Sequence, residues 1–318
     1  MPGSGSDAEG PYRGRAVAIT GASGFVGSAL RRRLAASGAV VHAVSRQERP
    51  PDELAERWWK LDVSVPGALD ELLHATEPEV LFHLAGETSA GRELDLVQPT
   101  FTANAVATVN VLTSLTARSP STRLVTAGSL EEPPEPGATA TSPYALSKAT
   151  AAAYGLLFHE LYGTRVVQLR IFMAYGPGQA AVGKLVPYVT LALLRGEPAV
   201  LTSGVRRVDW IYVEDVAAAF LAAGLAGEEA DGKSVDVGSG TLVSVREVAE
   251  EIARIVGSGE LRLGERPDRS RELERVADPE PAASLLGWRA TTKLSDGLRE
   301  TVDWYRDYGS TSSTALRA

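Results

Sequence analysis

The 318 residues contain no cysteine, which excludes disulfide scaffolds, zinc–thiolate sites and thiol nucleophiles. Histidine is nearly as scarce. His42, His74, His83 and His159 stand apart, with no metal-ligand spacing among them, and no metal is expected. No apolar run reaches the roughly 20 residues that cross a bilayer. The opening "MPGSGSDAEG" also lacks the basic start and apolar centre of a secretory leader. A soluble, cytoplasmic chain with no membrane partner is therefore expected. Surplus positive charge is missing too: the formal net charge is −8, whereas nucleic-acid binders need clustered Lys and Arg to displace counterions. Nucleic acid is not an expected partner.

What is present is a rhythm. From Arg15 onward, short apolar runs alternate with helix-period stretches: "RAVAIT", "FVGSALRRRLAASG", "VVHAVS", "WWKLDV", "PGALDELLHATEP", "EVLFHLAG", "TFTANAVATVNVLTSLTARS", "TRLVTAGS", "SPYALSKATAAAYG" and "RVVQLRIF". Strands joined by crossover helices predict a doubly wound parallel α/β sheet covered on both faces, with ligands at the carboxyl ends of the strands. After Tyr175 the pattern becomes less regular and richer in loops. The expected division is a dinucleotide-binding domain over 14–174 and a smaller α/β substrate lobe over 175–308. Residues 1–13 and 309–318 are small, polar and expected to be disordered.

Between the first strand and first helix, "TGASGFVG" sets Gly21, Gly24 and Gly27 three residues apart. Glycines there permit a tight turn and close approach of backbone to a pyrophosphate, while the helix start offers free N–H groups to the anion. The context of strand, glycines and helix is what the motif requires. Ser23, Phe25 and Val26 share this turn as cofactor contacts. The second strand ends in Ser45 and Arg46 where an NAD-binding carboxylate would be expected. A hydroxyl and a guanidinium suit a 2′-phosphate, so NADP(H) is favoured and NAD(H) stays open. Asp62, beside Val63, is a candidate for the adenine.

"YALSK" places Tyr144 and Lys148 four residues apart, on one face of a helix. Beside a nicotinamide they acquire a role, because hydride transfer at a carbinol carbon requires a proton to move on its oxygen. A phenol is a poor base at neutral pH; a nearby ammonium and the positive oxidised ring favour its ionisation. The lysine also suits the nicotinamide ribose. Ser129, at the end of "TRLVTAGS", is the expected third donor, preferred to Thr126 inside the strand.

Together, "TGASGFVG", "HLAG" at 83–86, Asn104, Ser129, "YALSK", "FMAYGPGQ" and "VDWIYVEDVA" resemble the extended short-chain dehydrogenase/reductase family, in its branch acting on nucleotide-diphospho-sugars. The likeness runs from about Arg15 to Tyr308. It implies a Rossmann domain with a C-terminal sugar-nucleotide lobe, often paired into a homodimer. It further implies that Leu84, Ala85, Gly86 and Asn104 line the cofactor, and that Thr88, Ser89 and Lys184 lie at the substrate mouth.

The same likeness leaves the reaction to particular positions. Dehydratases of this family often carry an acid directly after the Ser/Thr, where this chain has Leu130, although Glu131 matches their glutamate and is a further catalytic candidate. Met173 stands where asparagine is common, and Val208 where an arginine usually meets the diphosphate. Arg207, Arg266, Arg269, Arg271 and Arg275 are the expected substitutes, with Arg207 and Arg269 foremost. Because reductases draw on NADPH, Ser45 and Arg46 favour reduction at C4 of a nucleotide-diphospho-4-keto-6-deoxyhexose, dTDP-linked, with Tyr144 as acid. The alternative is an NAD-dependent C4 epimerase or 4,6-dehydratase. A non-catalytic NADP sensor on the same fold would not need Ser129, Tyr144 and Lys148 together.

Overall fold

The first strand, β1 (Ala16–Thr20), is buried at four of its five positions, as a strand covered on both faces must be. A computed structural model describes residues 10–135, 137–268 and 274–311. From β1 the chain runs through α1 (Phe25–Ala36), β2 (Val40–Ser45), β3 (Arg57–Lys60), α2 (Asp70–Thr76) and β4 (Val80–His83). The short α3 (Val97–Thr100) passes through a π-helical turn (Phe101–Val106) into α4 (Ala107–Arg118), followed by β5 (Arg123–Ser129), α5 (Pro143–Tyr162) and β6 (Val166–Ile171). The expected single long helix is thus broken at a wide turn, a feature that tends to mark functional positions.

The second half contributes β7 (Met173–Tyr175), α6 (Leu185–Leu194), β8 (Ala199–Val200), β9 (Arg207–Tyr212), α7 (Val213–Leu225) and β10 (Lys233–Val237). It ends with β11 (Leu242–Ser244), α8 (Val245–Val256), β12 (Leu261–Arg262), α9 (Pro279–Leu286) and α10 (Leu294–Thr311). The main sheet has the order β10-β6-β5-β4-β1-β2-β3, all parallel. Helices α1 and α7 pack together on one side of it, and α2, α4 and α5 on the other. The connections reverse direction between β1 and β4, which opens a ligand crevice at their carboxyl ends.

Two expected boundaries shift. The 14–174 division fails because the chain returns: β10 pairs with β6 from Lys233↔Val167 to Val237↔Ile171, and α7 covers the sheet beside α1. Seven strands, not six, build the first domain. Apart from this sheet stand β7-β9-β11, the β8–β12 pair, α6, α8 and α10. Likewise, expected disorder over 1–13 ends before Tyr12. That side chain is fully buried against Phe82, and its hydroxyl donates to the Leu221 carbonyl at 2.8 Å; burial of such a ring stabilises the fold by about 1.5–3 kcal/mol. At the other end α10 continues to Thr311, so 309–311 are helical. Residues 1–9 and 312–318 lie outside the described residues.

Candidate active site

The site is assembled by three strand ends and one helix start. Ser142 caps α5 by accepting the Ala145 N–H at 3.1 Å, with Pro143 in the first turn and Gly163 closing the helix in the left-handed region. This fixes Tyr144 in the opening turn, facing the end of β5. Ser129, buried there, accepts the Glu131 N–H at 3.2 Å, and its hydroxyl is close enough to the phenol to favour the ionised form. One turn along, the Lys148 ammonium donates to the Ala127 carbonyl at 2.9 Å. Serine, tyrosine and lysine are therefore brought to the end of β5.

Electrostatics modify that expectation. Burial pushes the Tyr144 phenol up to about 12; the Ser129 hydroxyl opposes this, while Glu132, Glu131 and Glu87 reinforce it. Burial also pulls Lys148 down to about 8, countered by the negative charge of Glu132. The lysine is not among the groups that ease ionisation of this tyrosine, so the fold alone does not bring the phenol into a useful range. A positive charge placed beside the phenol would favour its ionised form.

The glycine turn has the shape that such a cofactor needs. Gly21 sits at φ +70°, and a Cβ on it would lie 2.6 Å from the Ala85 nitrogen; on Gly27 it would lie 2.1 Å from the Gly21 carbonyl oxygen. Helix α1 begins at Gly24 with no side-chain cap and no acidic residue in its first turn, so Phe25 and Val26 open the helix with N–H groups suited to an anion. Ser23 is exposed beside them. Across the crevice, a Cβ on Gly86 would lie 2.5 Å from Asn104 Oδ1 and 3.5 Å from Lys148 Nζ.

The adenosine end is less like an NADP site than Ser45 and Arg46 imply. Ser45 is buried and its hydroxyl accepts the Gln47 N–H at 3.2 Å. Exposed Arg46 interacts with Asp62, whose carboxyl is held below the usual carboxylate range first by the Ser64 hydroxyl and N–H and then by this arginine. Positive charge for a phosphate is thereby offset by a carboxylate at the same end. Val63 beside it is buried.

Comparison with known proteins agrees with this construction. The model of the NAD dependent epimerase/dehydratase family matches residues 17–238. This chain belongs to that family. It is 32% identical to a UDP-glucose 4-epimerase of Mycolicibacterium smegmatis over 91% of this chain and 98% of that one. A dTDP-glucose 4,6-dehydratase of Streptomyces niveus is 28% identical, over 92% and 93%. Among solved structures, the Thermus thermophilus UDP-glucose 4-epimerase in complex with NAD superimposes with a TM-score of 0.79 at 26% identity, over 92% of this chain and 99% of that one.

The other expected site residues, where described, have partners within the protein. Asn104 is buried and committed to the protein: its Oδ1 accepts the Glu87 N–H at 3.0 Å, and its Nδ2 donates to Glu87 O and Ser147 Oγ at 3.2 and 2.9 Å. It supports the loop after Gly86. Thr88 and Ser89, in that loop, both give their N–H groups to Glu87 Oε1. Lys184 caps α6 without a side-chain cap bond. Arg207 points away, with its guanidinium on the Leu242 carbonyl at 3.0 Å, because alternate residues of a strand face opposite ways. Its neighbour Arg206 shares the face of Val208 and approaches Glu131 at 3.6 Å. Glu131 is accordingly no freely solvated carboxylate.

Arg275 is also unavailable to a diphosphate, since it donates to the carbonyls of Leu130 and Glu132 at 2.9 and 2.8 Å. Arg266 lies over the Tyr188 ring. Arg269 and Arg271 lie outside the described residues. Sequence reasoning missed Arg206, which alternation along "RRVDWIYV" could have revealed, and Glu132, for which no local pattern offers a signal. It passed over His83, whose ring joins Thr20 Oγ1 at 2.7 Å to Thr108 Oγ1 at 3.2 Å, binding β1 to α4 beneath the site. No described helix is long and apolar enough to cross a membrane.

Proposed function

We propose that this protein is an NAD-dependent 4-epimerase of a nucleotide-diphospho-sugar. The observation that carries the reading is the Ser129–Tyr144–Lys148 constellation in a chain similar along nearly its whole length to a UDP-glucose 4-epimerase. Support for NAD over the NADP(H) expected from Ser45 and Arg46 comes from the Asp62 carboxylate, whose charge Arg46 feels at the same end of the site, and from solved relatives that hold NAD. A reductase would discard its oxidised cofactor after each turnover, and nothing in the geometry favours that over internal redox. The 4-ketoreductase reading therefore yields to its alternative.

Bound NAD would accept a hydride from C4 of the sugar and return it to the opposite face. Gly21, Gly24 and Gly27 would admit its pyrophosphate, and Lys148 would hold the nicotinamide ribose. Tyr144 takes the O4 proton as the carbon is oxidised and gives it back after the sugar turns, so the residues end each cycle unchanged. Ser129 donates to the same oxygen while it carries negative charge. Arg206, which approaches Glu131 at 3.6 Å, would be a guanidinium for the diphosphate if the substrate displaced it from that carboxylate.

A second reading, 4,6-dehydration, is favoured by one observation: Glu131 stands two residues after Ser129, half-buried. Against it, the adjacent position is Leu130, which is buried and carries no acid. Incubation of the purified protein with UDP-glucose and with dTDP-glucose, followed by chromatography, separates the two. The 4-epimer with retained NAD supports epimerisation; a 4-keto-6-deoxy product indicates dehydration; net consumption of NADPH with a keto-sugar overturns both. We further infer a homodimer through the outer face of α5, where Leu146, Tyr154, Leu157 and Leu161 form an exposed apolar stripe.

A further inference from the structure

Glu132 is a charged residue enclosed behind the site with no assigned role. Only 4% of it is exposed, in a fold where isolated carboxylates are costly to bury. One oxygen accepts the Ser129 N–H at 2.7 Å and the Gln168 Nε2–H at 3.1 Å; the other lies 3.2 Å from the same amide and 3.6 Å from Arg170 Nε. Gly128 makes room for this arrangement, since a Cβ there would fall 2.7 Å from the carboxylate and 2.5 Å from Gln168 Nε2. From the second half of the chain, Arg275 clasps the backbone carbonyl of Glu132 itself.

We propose that Glu132 is a positioning residue: its buried carboxylate seats Ser129 through the backbone N–H, on the same stretch of β5 whose Ala127 carbonyl holds Lys148. This deepens, and rests on, the assignment of Ser129, Tyr144 and Lys148 as the reacting group. Two geometric facts support it. The shortest bond of the carboxylate goes to Ser129, and the lysine bonds Ala127, two positions before Ser129 on the same strand. Charge follows geometry. Among the described residues, Glu132 is the carboxylate that raises Lys148, against the burial that lowers it, and burial raises Glu132 in turn while Ser129, Arg170 and Lys148 restrain it.

The groups facing Glu132 are few: Lys148 and Tyr144 from α5, Arg170 from β6, Asp236 from β10 bound to Arg170 at 2.6 Å, Arg275, and adjacent Glu131. Among the described residues, Arg170 is the cation in ion-pair reach of Glu132 and is divided between it and Asp236, and the charge of Lys148 adds to its effect on Glu132. Removal of the Glu132 charge lowers the pH at which Lys148 loses its proton. It also lowers the pH at which Tyr144 ionises, because Glu132 raises both. A residue that merely braced the loop would change the amount of activity and leave both midpoints in place.

The test uses the five lysines of the chain, reductively ¹³C-methylated and titrated by NMR, with the Lys148 signal assigned by Lys148→Arg. In wild type this signal should titrate near 8. In Glu132→Gln it should move to lower pH, and the pH profile of turnover should move with it. Glu132→Asp keeps the charge but draws it back from Ser129. Its lysine midpoint should stay near that of wild type while kcat falls about 10- to 100-fold, the cost of misplacing a reacting group by about 1 Å. An unmoved Lys148 midpoint in folded Glu132→Gln overturns the proposal, as does full activity in Glu132→Asp. The lysine titration needs no substrate, so it reads the Glu132–Lys148 coupling even if the sugar-nucleotide reading fails.

Discussion

Ser129 and Tyr144 come together, close enough for the serine hydroxyl to favour ionisation of the phenol, although one ends β5 and the other opens α5. A substrate oxygen there would meet both. The serine does not lower the phenol far enough: burial leaves Tyr144 at about 12, so almost none is ionised at neutral pH. An oxidised nicotinamide beside it adds a positive charge that favours phenolate. Absorbance titration of tyrosinate, taken as the difference between wild type and Tyr144→Phe, should show one phenol ionising near 12 without cofactor and at distinctly lower pH with NAD⁺. Turnover in Tyr144→Phe should fall by about 10²–10⁴ with cofactor binding retained. Undiminished turnover would remove Tyr144 from the chemistry.

The glycine turn predicts a graded effect. A Cβ at position 27 meets the Gly21 backbone oxygen at 2.1 Å, whereas at position 24 it lies 3.2 Å from the same atom. Backbone cannot swing aside as a side chain can. Gly27→Ala should therefore cost about 1–3 kcal/mol and abolish retention of dinucleotide, while Gly24→Ala should weaken both less. Thermal melts with chromatography of the nucleotide released on denaturation give the comparison. Equal behaviour of the two variants would contradict the packing described.

The contrast between these glycines and the arginines shows how far the sequence could be read. Motifs confined to one turn or one helix, such as Gly21 to Gly27 or Tyr144 to Lys148, carry their geometry in their spacing. The alternation of strands and helices indicated the doubly wound sheet for the same reason. Long-range partnerships have no such local trace. β10 joins β6 across an interval that contains β7, α6, β8, β9 and α7, so the first domain extended past its expected end. Arg275 meets the loop after Ser129 from far along the chain, and this tertiary bond removed it from the diphosphate candidates. Arg206 was nearer to hand, since strand alternation alone separates its face from that of Arg207.

His83 predicts how the fold responds to acid. Burial pulls its imidazole down to about 3, with a further lowering from Lys148. The unfolded chain binds this proton near 6.5 and the folded chain does not. Between those values the unfolded state carries more protons, so stability falls as pH falls from about 6.5 toward 3. The contribution is at most about 1.4 kcal/mol per pH unit. His83→Asn should be less stable at pH 7 by about 1–3 kcal/mol, because the hydroxyls of Thr20 and Thr108 lose a partner. Its stability should then decline less steeply on acidification. Parallel acid limbs for the two proteins, measured by urea unfolding from about pH 7 to about pH 4, would show that His83 does not titrate as described.

The outer face of α5 predicts association. Leu146, Tyr154, Leu157 and Leu161 are spaced by eight, three and four residues, which places them on one side of the helix, and they are 57, 40, 43 and 63% exposed. Phe101, on the π-helical turn packed against α5, adds to the same region at 47%. Water-exposed apolar stripes of this size mark contact surfaces, and a two-fold axis lets one helix face cover its own copy. Light scattering should give twice the 33.6 kDa of the chain. Leu157→Asp should shift it to the monomer, since burying a lone carboxylate in the contact is unfavourable. The helix also carries Tyr144 and Lys148, so a monomeric variant that binds cofactor normally would separate assembly from catalysis. Wild type that remains monomeric at micromolar concentration would leave the stripe without this role.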